Sequence, residues 1–405
     1  MGSGDADGLR VRSLLTMLGY TYLDHAATTP MRAEAVAAML PFFAEQYANP
    51  SGSHRFAREA RKAIDEARDD IAEVIGCRPG EVVFTSGGTE ADNTAILGTV
   101  AARGGTAVCP AAEHHAVLEA VHRARGRVVA TTSTGAVDLD SLAATLSAAA
   151  DVSVVSVMTV NNEVGAVNDL AAVAQVVRRH APGALLHTDA VQAPCWLDLR
   201  SITPHVDYLA LSAHKFGGPK GVGLLVAREG TSFQPALIGG GQERERRSGT
   251  HNVAGIVAMA TALRLTDAER VSELPRIAAL RNRLVDRLIA ELAGVHETVP
   301  RAAKVAGSAH LCIEGIENEA LLFLLDEAGV CASAASACAA GAMEPSHVLA
   351  AMGVPRSLGG GAVRLTLGAA STPVDIERGA DVIVHAVRQL RREPLGTELL
   401  HRGAS

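Results

Sequence analysis

Between about residue 80 and residue 230 the chain alternates short, almost unbroken apolar runs with longer stretches whose apolar residues recur every three or four positions. The runs at 81–85, 106–109, 127–131, 152–159, 184–189, 206–212 and 221–227 are dominated by Val, Leu, Ala and Ile, as expected of strands buried on both faces. Helical periodicity separates them, most clearly at 139–149 and 170–180. This alternation predicts an α/β unit built on a mostly parallel, seven-stranded sheet. After residue 260 the rhythm changes. A long helical stretch at 252–292 leads to shorter strand patterns at 309–313 and 362–367, with helices at 318–328 and 374–391. The pattern divides the chain into a large α/β domain over 21–260 and a smaller α+β domain made of 1–20 and 261–405.

Composition narrows the class. The 405 residues are 48% hydrophobic and 20% charged, which describes a globular protein with a sizeable core. A net charge of −7 argues against direct nucleic-acid binding. No apolar run approaches the roughly 18 residues of a membrane span, and the opening MGSGDADGLRVRSLLTML does not read as a secretory signal. The expectation is a cytoplasmic protein away from membranes. Six cysteines are scattered without a CxxC pair, so neither disulfides nor a zinc site is expected. Cys77, Cys109 and Cys312 read as small apolar core residues.

The candidate chemistry begins at Lys215. Only four lysines stand against thirty-three arginines, and two of the four, Lys215 and Lys220, fall in the strand-end segment LALSAHKFGGPKGVG (209–223). A lysine held partly desolvated between a strand and tight turns can keep its amine neutral and attack a carbonyl carbon. Asp189 ends another apolar run, at the edge where open α/β sheets collect ligands. A carboxylate there can pair with a pyridinium N–H. In EVVFTSGGTEADNTAIL (81–97) a strand runs through Gly87, Gly88 and Thr89 into a helix, the architecture of an anion cradle. His114 follows a strand and turn, where a histidine can stack on a flat ring and shuttle a proton. Asn162 can supply an amide donor, and Arg246-Arg247-Ser248-Gly249-Thr250 pairs cations with hydroxyls in a glycine turn. The run CASAASACAAG (331–341) reads as an exposed loop in which Cys338 suits a nucleophile. Taken singly, each feature is equally a turn, a helix cap or a core residue.

Together the segments resemble the NifS/IscS-type cysteine desulfurases, class V aminotransferase-like enzymes of the fold-type-I pyridoxal-phosphate group. The matching strings are YLDHAATTP (22–30), NPSGSH (49–54), VVFTSGGTEADN (82–93), AEHHAVL (112–118), NNEVG (161–165), HTDAVQ (187–192), SAHKFGGPKG (212–221), GGGQERERRSGT (239–250), SACAAGAMEPSHVL (336–349) and VRLTLG (363–368). They occur in the family's order from about residue 20 to 375.

The resemblance implies a fold-type-I transferase that binds pyridoxal 5′-phosphate (PLP). By position, Lys215 would carry the cofactor in Schiff-base linkage and Asp189 would pair with its ring nitrogen. His114 would stack on the ring, with Asn162 and Gln192 near the phenolic oxygen. Gly88, Thr89, Ser212 and His214 would bind the phosphate, and Thr250 would reach the phosphate in the other subunit of a homodimer. Arg364, aided by Asn162, would hold the carboxylate of the substrate L-cysteine. Cys338 would take the sulfur as a persulfide, releasing L-alanine, and pass it to a sulfur-acceptor protein. That acceptor would be an iron–sulfur scaffold or a thiolation enzyme; no metal ligand set is implied.

Two departures stand out. Ala335 replaces a glycine the family carries just before Ser-Ala-Cys, and Ala369 replaces a larger basic residue after Leu-Gly. Neither removes a mechanistic group. A related class V aminotransferase or β-lyase that does not use Cys338 is the competing reading. A non-catalytic sulfur-relay scaffold is a further one, but it would need none of Lys215, Asp189, His114 and Arg364.

Overall fold

The computed structural model describes residues 19–334 and 346–392. A short strand, β1 (Thr21–Tyr22), comes first, and the seven apolar runs then form β2 (Val82–Thr85), β3 (Thr106–Pro110), β4 (Arg127–Val129), β5 (Val152–Ser156), β6 (Leu185–Asp189), β7 (Tyr208–Ser212) and β8 (Gly223–Ala227). They make one sheet in the order β2-β8-β7-β6-β5-β3-β4. Every pair is parallel except those of β8, which runs antiparallel to both β2 and β7. Mostly parallel strands need crossover helices on the faces, and the residues of β2, β3, β5, β7 and β8 are buried throughout.

Several strands are shorter than their apolar runs. Residues 157–159 leave the ladder of β5, yet Val157 N still donates to His187 O (3.0 Å) and Thr159 N to Asp189 O (2.9 Å). The chain thus follows β6 to its carboxyl end. The run at 127–131 stops at Val129 because Thr131 turns away to bridge Val137.

Helix α1 (Arg55–Ile75) precedes β2, and the crossovers are α2 (Gly88–Arg103), α3 (His115–Arg123), α4 (Leu139–Ala148) and α5 (Leu170–His180). Asp138 and Asp169 cap α4 and α5 by accepting Ser141 N (2.9 Å) and Ala171 N (3.0 Å). The long helix α6 (Val253–Glu291) has Pro275 in its interior. Before this proline, Ile256, Met259 and Leu263 pack into the core beneath the large sheet. After it, Ile277, Leu284 and Leu288 join a second apolar cluster.

That second cluster lies against β9 (Val295–Glu297), β10 (Ser308–Ile313) and β12 (Ala362–Thr366), an antiparallel sheet in the order β12-β10-β9. Helices α7 (Asn318–Glu327) and α8 (Pro373–Arg392) cover it, and β1 pairs in parallel with β11 (Val330–Cys331). Of the residues expected before position 20 to pack here, 1–18 lie outside the described residues. Cys109 and Cys312 are buried as expected, whereas Cys77 is only half-buried, because it sits in the turn that follows α1. No described helix is long and apolar enough to cross a membrane.

Leu211 is fully buried in the interior strand β7, immediately before Ser212. Leu211→Ala should destabilise the protein by about 2–5 kcal/mol through lost transfer energy and a residual cavity. A lower urea midpoint of the apo protein is the expected observation.

Candidate active site

At the end of β7 the chain makes a tight turn, Ala213–Lys215, and leaves it through Gly217 with φ 86°. This turn brings Lys215 to the carboxyl edge of the sheet. Its Nζ donates to the carbonyls of Ala26 (2.5 Å) and Ala27 (2.9 Å). Burial lowers the Lys215 pKa to about 8, the nearby Arg364 guanidinium pushes the same way, and Asp189 and Asp24 oppose them. Far more of the amine is therefore neutral near neutral pH than for an ordinary lysine, whose pKa is about 10.4.

A cavity of about 680 Å³ opens beside the amine. Asp189, His114, Asn162, Gln192, Ser212, His214, Gly88, Thr89 and Arg364 all line it together with Lys215. Of the site residues expected from the sequence, Thr250 stands apart and is exposed, and Cys338 lies outside the described residues.

Asp189 closes β6, and its Oδ1 accepts the amide of Val191 (2.9 Å). Burial raises its pKa, while His114, that amide and Lys215 favour the charged form. The residue is at once the turn cap of the plain reading and a carboxylate facing the cavity. His114 likewise caps α3, since its Nδ1 accepts from Ala116 N (3.1 Å). In the neutral ring the proton then sits on Nε2, and burial lowers the His114 pKa toward that neutral form.

The anion cradle lies at the start of α2. Gly87 precedes it with φ 157°, and a Cβ on Gly88 would approach Val191 Cγ2 to 2.7 Å, so glycine is required there. Backbone amides of the first helical turn and the helix dipole face this end of the cavity. His214 places Nδ1 3.1 Å from Thr28 Oγ1 and is held neutral, its pKa lowered to about 4 by burial and then by Lys215 and Lys220. Gln192 reaches a different partner, donating Nε2 to the carbonyl of Ala26 (2.8 Å).

Arg364 lies on β12, across the cavity. Its Nη2 pairs with Asp24 (2.7 Å) and its Nη1 donates to the carbonyl of Asn162 (2.9 Å), while Nε is buried without a partner. An acceptor oxygen entering the cavity would satisfy such a donor. The flanks of the segment holding Cys338 are tied to residues around this site. Ser333 is bridged to Arg364 through the backbone, with Arg364 N donating to Ser333 O (2.7 Å). Ser346, on the other flank, donates to Glu163, the neighbour of Asn162. His347 donates Nε2 to the carbonyl of Glu113 (2.8 Å), next to His114.

Two groups of residues escaped the sequence reading. One is the segment 24–29, whose Asp24 engages Arg364 and whose carbonyls hold the Lys215 amine; Thr29 Oγ1 also donates to His214 O (2.9 Å). Its motif was visible, but backbone acceptors carry no side-chain signature. The other lies beneath Asp189, where His187 Nδ1 meets Ser156 Oγ (2.8 Å) and His187 Nε2 lies 3.4 Å from Asp92. Burial pushes the His187 pKa down to about 3 and the Asp92 carboxyl well above the usual carboxylate range, so burial favours the neutral form of each. The period-two placement of His187 and Asp189 on one strand face could have pointed to it.

Residues 21–378 match the aminotransferase class-V family. The cysteine desulfurase IscS of Dictyoglomus turgidum is 39% identical over 378 residues, which cover 91% of this chain and 95% of that protein. An IscS-like cysteine desulfurase of Mycobacterium tuberculosis is 40% identical over 387 residues, covering 92% and 98%. Among solved structures, a NifS-like protein superposes with a TM-score of 0.85 at 32% identity, covering 91% of this chain and all of that one.

The amine should be titratable directly. Modification of apo protein by an amine-specific reagent, followed by peptide mapping, should show Lys215 reacting with a midpoint near pH 8. Arg364→Leu removes a neighbouring positive charge and should raise that midpoint, whereas Asp24→Asn should lower it. A midpoint beyond pH 10, the ordinary lysine range, would contradict the burial argument.

Proposed function

The chain belongs to the class-V aminotransferases and is an enzyme; from that premise we propose that it is a PLP-dependent cysteine desulfurase that converts L-cysteine to L-alanine and passes the sulfur on through Cys338. Enzymes of this family work with PLP in general. The observation that carries the reading is one cavity holding a low-pKa lysine, a carboxylate at a strand end, an anion cradle and an arginine with an orphaned buried Nε.

The donor set fits the cofactor. Gly88 and Thr89, with Ser212 and His214, would hold the phosphate at the α2 N-terminus, and Asp189 would hold the protonated ring nitrogen. His114 would cover the ring face, and Asn162 and Gln192 would lie near the phenolic oxygen. Bound there, PLP supplies an electron sink for the charge left at the substrate α-carbon.

The protein groups do the rest. Arg364 and Asn162 hold the L-cysteine carboxylate. Lys215, once its amine is free, takes the α-proton and returns a proton on the other side of the same exchange. His114, neutral with its proton on Nε2, can donate to the departing group. Cys338 as thiolate attacks the substrate sulfur; an S–S bond forms as the Cβ–S bond breaks, and its electron pair returns to carbon, which is protonated to give alanine. The ties of Ser333 and Ser346 to Arg364 and Glu163 support the delivery of Cys338 to this side of the cavity.

We place the working unit in a homodimer. Thr250 is exposed and outside the cavity of its own chain, and large apolar side chains at Phe43, Tyr47 and Ile238 are 63%, 69% and 85% exposed. Exposed apolar side chains of this size are the kind that a subunit interface would cover. The sulfur acceptor would be an iron–sulfur scaffold or a thiolation enzyme, and the cytoplasm is the compartment that fits the cysteine usage.

The test measures sulfide and alanine from L-cysteine with added thiol. Wild type should yield both, and Cys338→Ser should keep the visible absorbance of its bound cofactor while losing sulfide release by at least about a hundredfold, as expected when a nucleophile is removed. A Cys338→Ser variant as active as wild type would overturn the reading in favour of a lyase or transaminase.

A further inference from the structure

The segment that carries Thr250 is held in an unusual way. Glu243, Arg244 and Glu245 are consecutive residues with side chains, yet all have left-handed backbones, φ 49°, 57° and 64°. That conformation is disfavoured for such residues and persists only where the surroundings impose it. Here the surroundings converge on one carboxylate. Glu243 is buried, with its side chain 2% exposed. Its Oε1 accepts from Arg68 Nη2 (2.6 Å) and His251 Nε2 (2.7 Å), and its Oε2 from Arg68 Nη1 (2.9 Å) and Phe84 N (2.9 Å).

Four donors on two oxygens keep the group ionised, its pKa lowered to about 2 despite burial. The donors come from three places. Arg68 belongs to α1, where its guanidinium also lies 4.4 Å over the Phe84 ring. Phe84 belongs to β2, and His251 sits just before α6.

The rest of the segment is tied to the anion cradle. Arg247 Nε pairs with Glu90 Oε1 (2.9 Å), and Glu90 Oε2 accepts Ser86 N (2.8 Å). Ser86 and Glu90 bracket the turn of Gly87, Gly88 and Thr89. Gly249 N donates to the Gln242 side chain (2.9 Å), and Asn252 caps α6 through Gly255 N (3.0 Å). Thr250 is thus fixed on both sides in the chain while remaining exposed.

We propose that Glu243 is a positioning residue: through Arg68, Phe84 and His251 it holds the left-handed turn 243–245 and so presents Thr250 to the cofactor phosphate bound by a second copy of the chain. The proposal rests on the reading of a PLP-binding homodimer. A buried ion pair alone would be weak grounds, because apolar packing can replace one without loss of stability. The strained turn is what needs the charge: the carboxylate closes a backbone amide, a guanidinium and an imidazole onto one point, which an apolar side chain cannot do.

A double-mutant cycle on cofactor affinity tests this. Apo protein of wild type, Glu243→Gln, Thr250→Val and the double variant would be titrated with PLP by absorbance, with dimer content followed by light scattering. Each single change should weaken binding about tenfold, and the double should be no weaker than either, because both remove the same contact. Wild-type affinity in Glu243→Gln, or losses that multiply to about a hundredfold in the double, would overturn the proposal. If Glu243→Gln does not fold, His251→Gln removes one donor of the four and is judged in the same cycle by the same criterion. A wild type that takes up no PLP would refute the underlying reading instead, so the two failures are told apart.

Discussion

The site depends on keeping a lysine amine out of water without giving it a carboxylate to bond. Lys215 is satisfied by two backbone carbonyls, of Ala26 and Ala27. Carbonyls accept hydrogen bonds from ammonium and amine alike, so they fix the side chain without locking its charge. A bonded carboxylate would raise the pKa and hold the amine protonated. Asp24 and Asp189 are the carboxylates within electrostatic reach, and each is engaged elsewhere: Asp24 with Arg364, Asp189 with the Val191 amide. The electrostatics of the cavity follow from this division. Burial pushes Asp92 toward its protonated form and His187 toward its neutral form, while His114, Lys215 and the Val191 amide favour the charged form of Asp189 against its own burial.

Geometry enforces the same division. Segment 24–29 reaches Lys215, His214 and Arg364, and so links the end of β7 to β12 on the antiparallel sheet. Helix α6 links the two cores more rigidly, with Ile256 and Met259 in one and Leu284 and Leu288 in the other. A site made of groups from both sheets needs such links, because an ångström of drift between them would separate Arg364 from Lys215.

Much of this was legible in the sequence for physical reasons. Strands buried on both faces must be apolar along their length, so the seven runs announced themselves, as did the ends of β6 and β7 where Asp189 and Ser212 interrupt them. Helices α4 and α5 were visible in their apolar periodicity. What was not legible was made by the backbone or by distance in the chain. The carbonyls of Ala26 and Ala27 have no residue signature. The pairing of Asp24 with Arg364 joins residues 340 positions apart. The strand ends were over-extended at 157–159 because apolarity reports burial and not hydrogen bonding, and burial continues past the ladder.

The segment 239–250 shows the same limit in a sharper form. Its glycines and arginines read as a turn suited to an anion, and nothing in that composition predicts left-handed backbone at Glu243, Arg244 and Glu245. Gln, Glu and Arg are good helix formers on local propensity, so the local preference and the observed conformation conflict. Conflicts of this kind survive where a tertiary contact outweighs the local cost, and they concentrate at functional positions. Here the contact is identifiable, one buried carboxylate joined by four donors from α1, β2 and the approach to α6. One of those elements, β2, leads into the anion cradle, and Glu90 within α2 takes Arg247 of the same segment. On the proposed reading, strain in the turn and order in the cradle are parts of one arrangement, in which β2 and the start of α2 shape one end of the cavity and the Glu243 carboxylate, bonded to β2, sets the direction of Thr250.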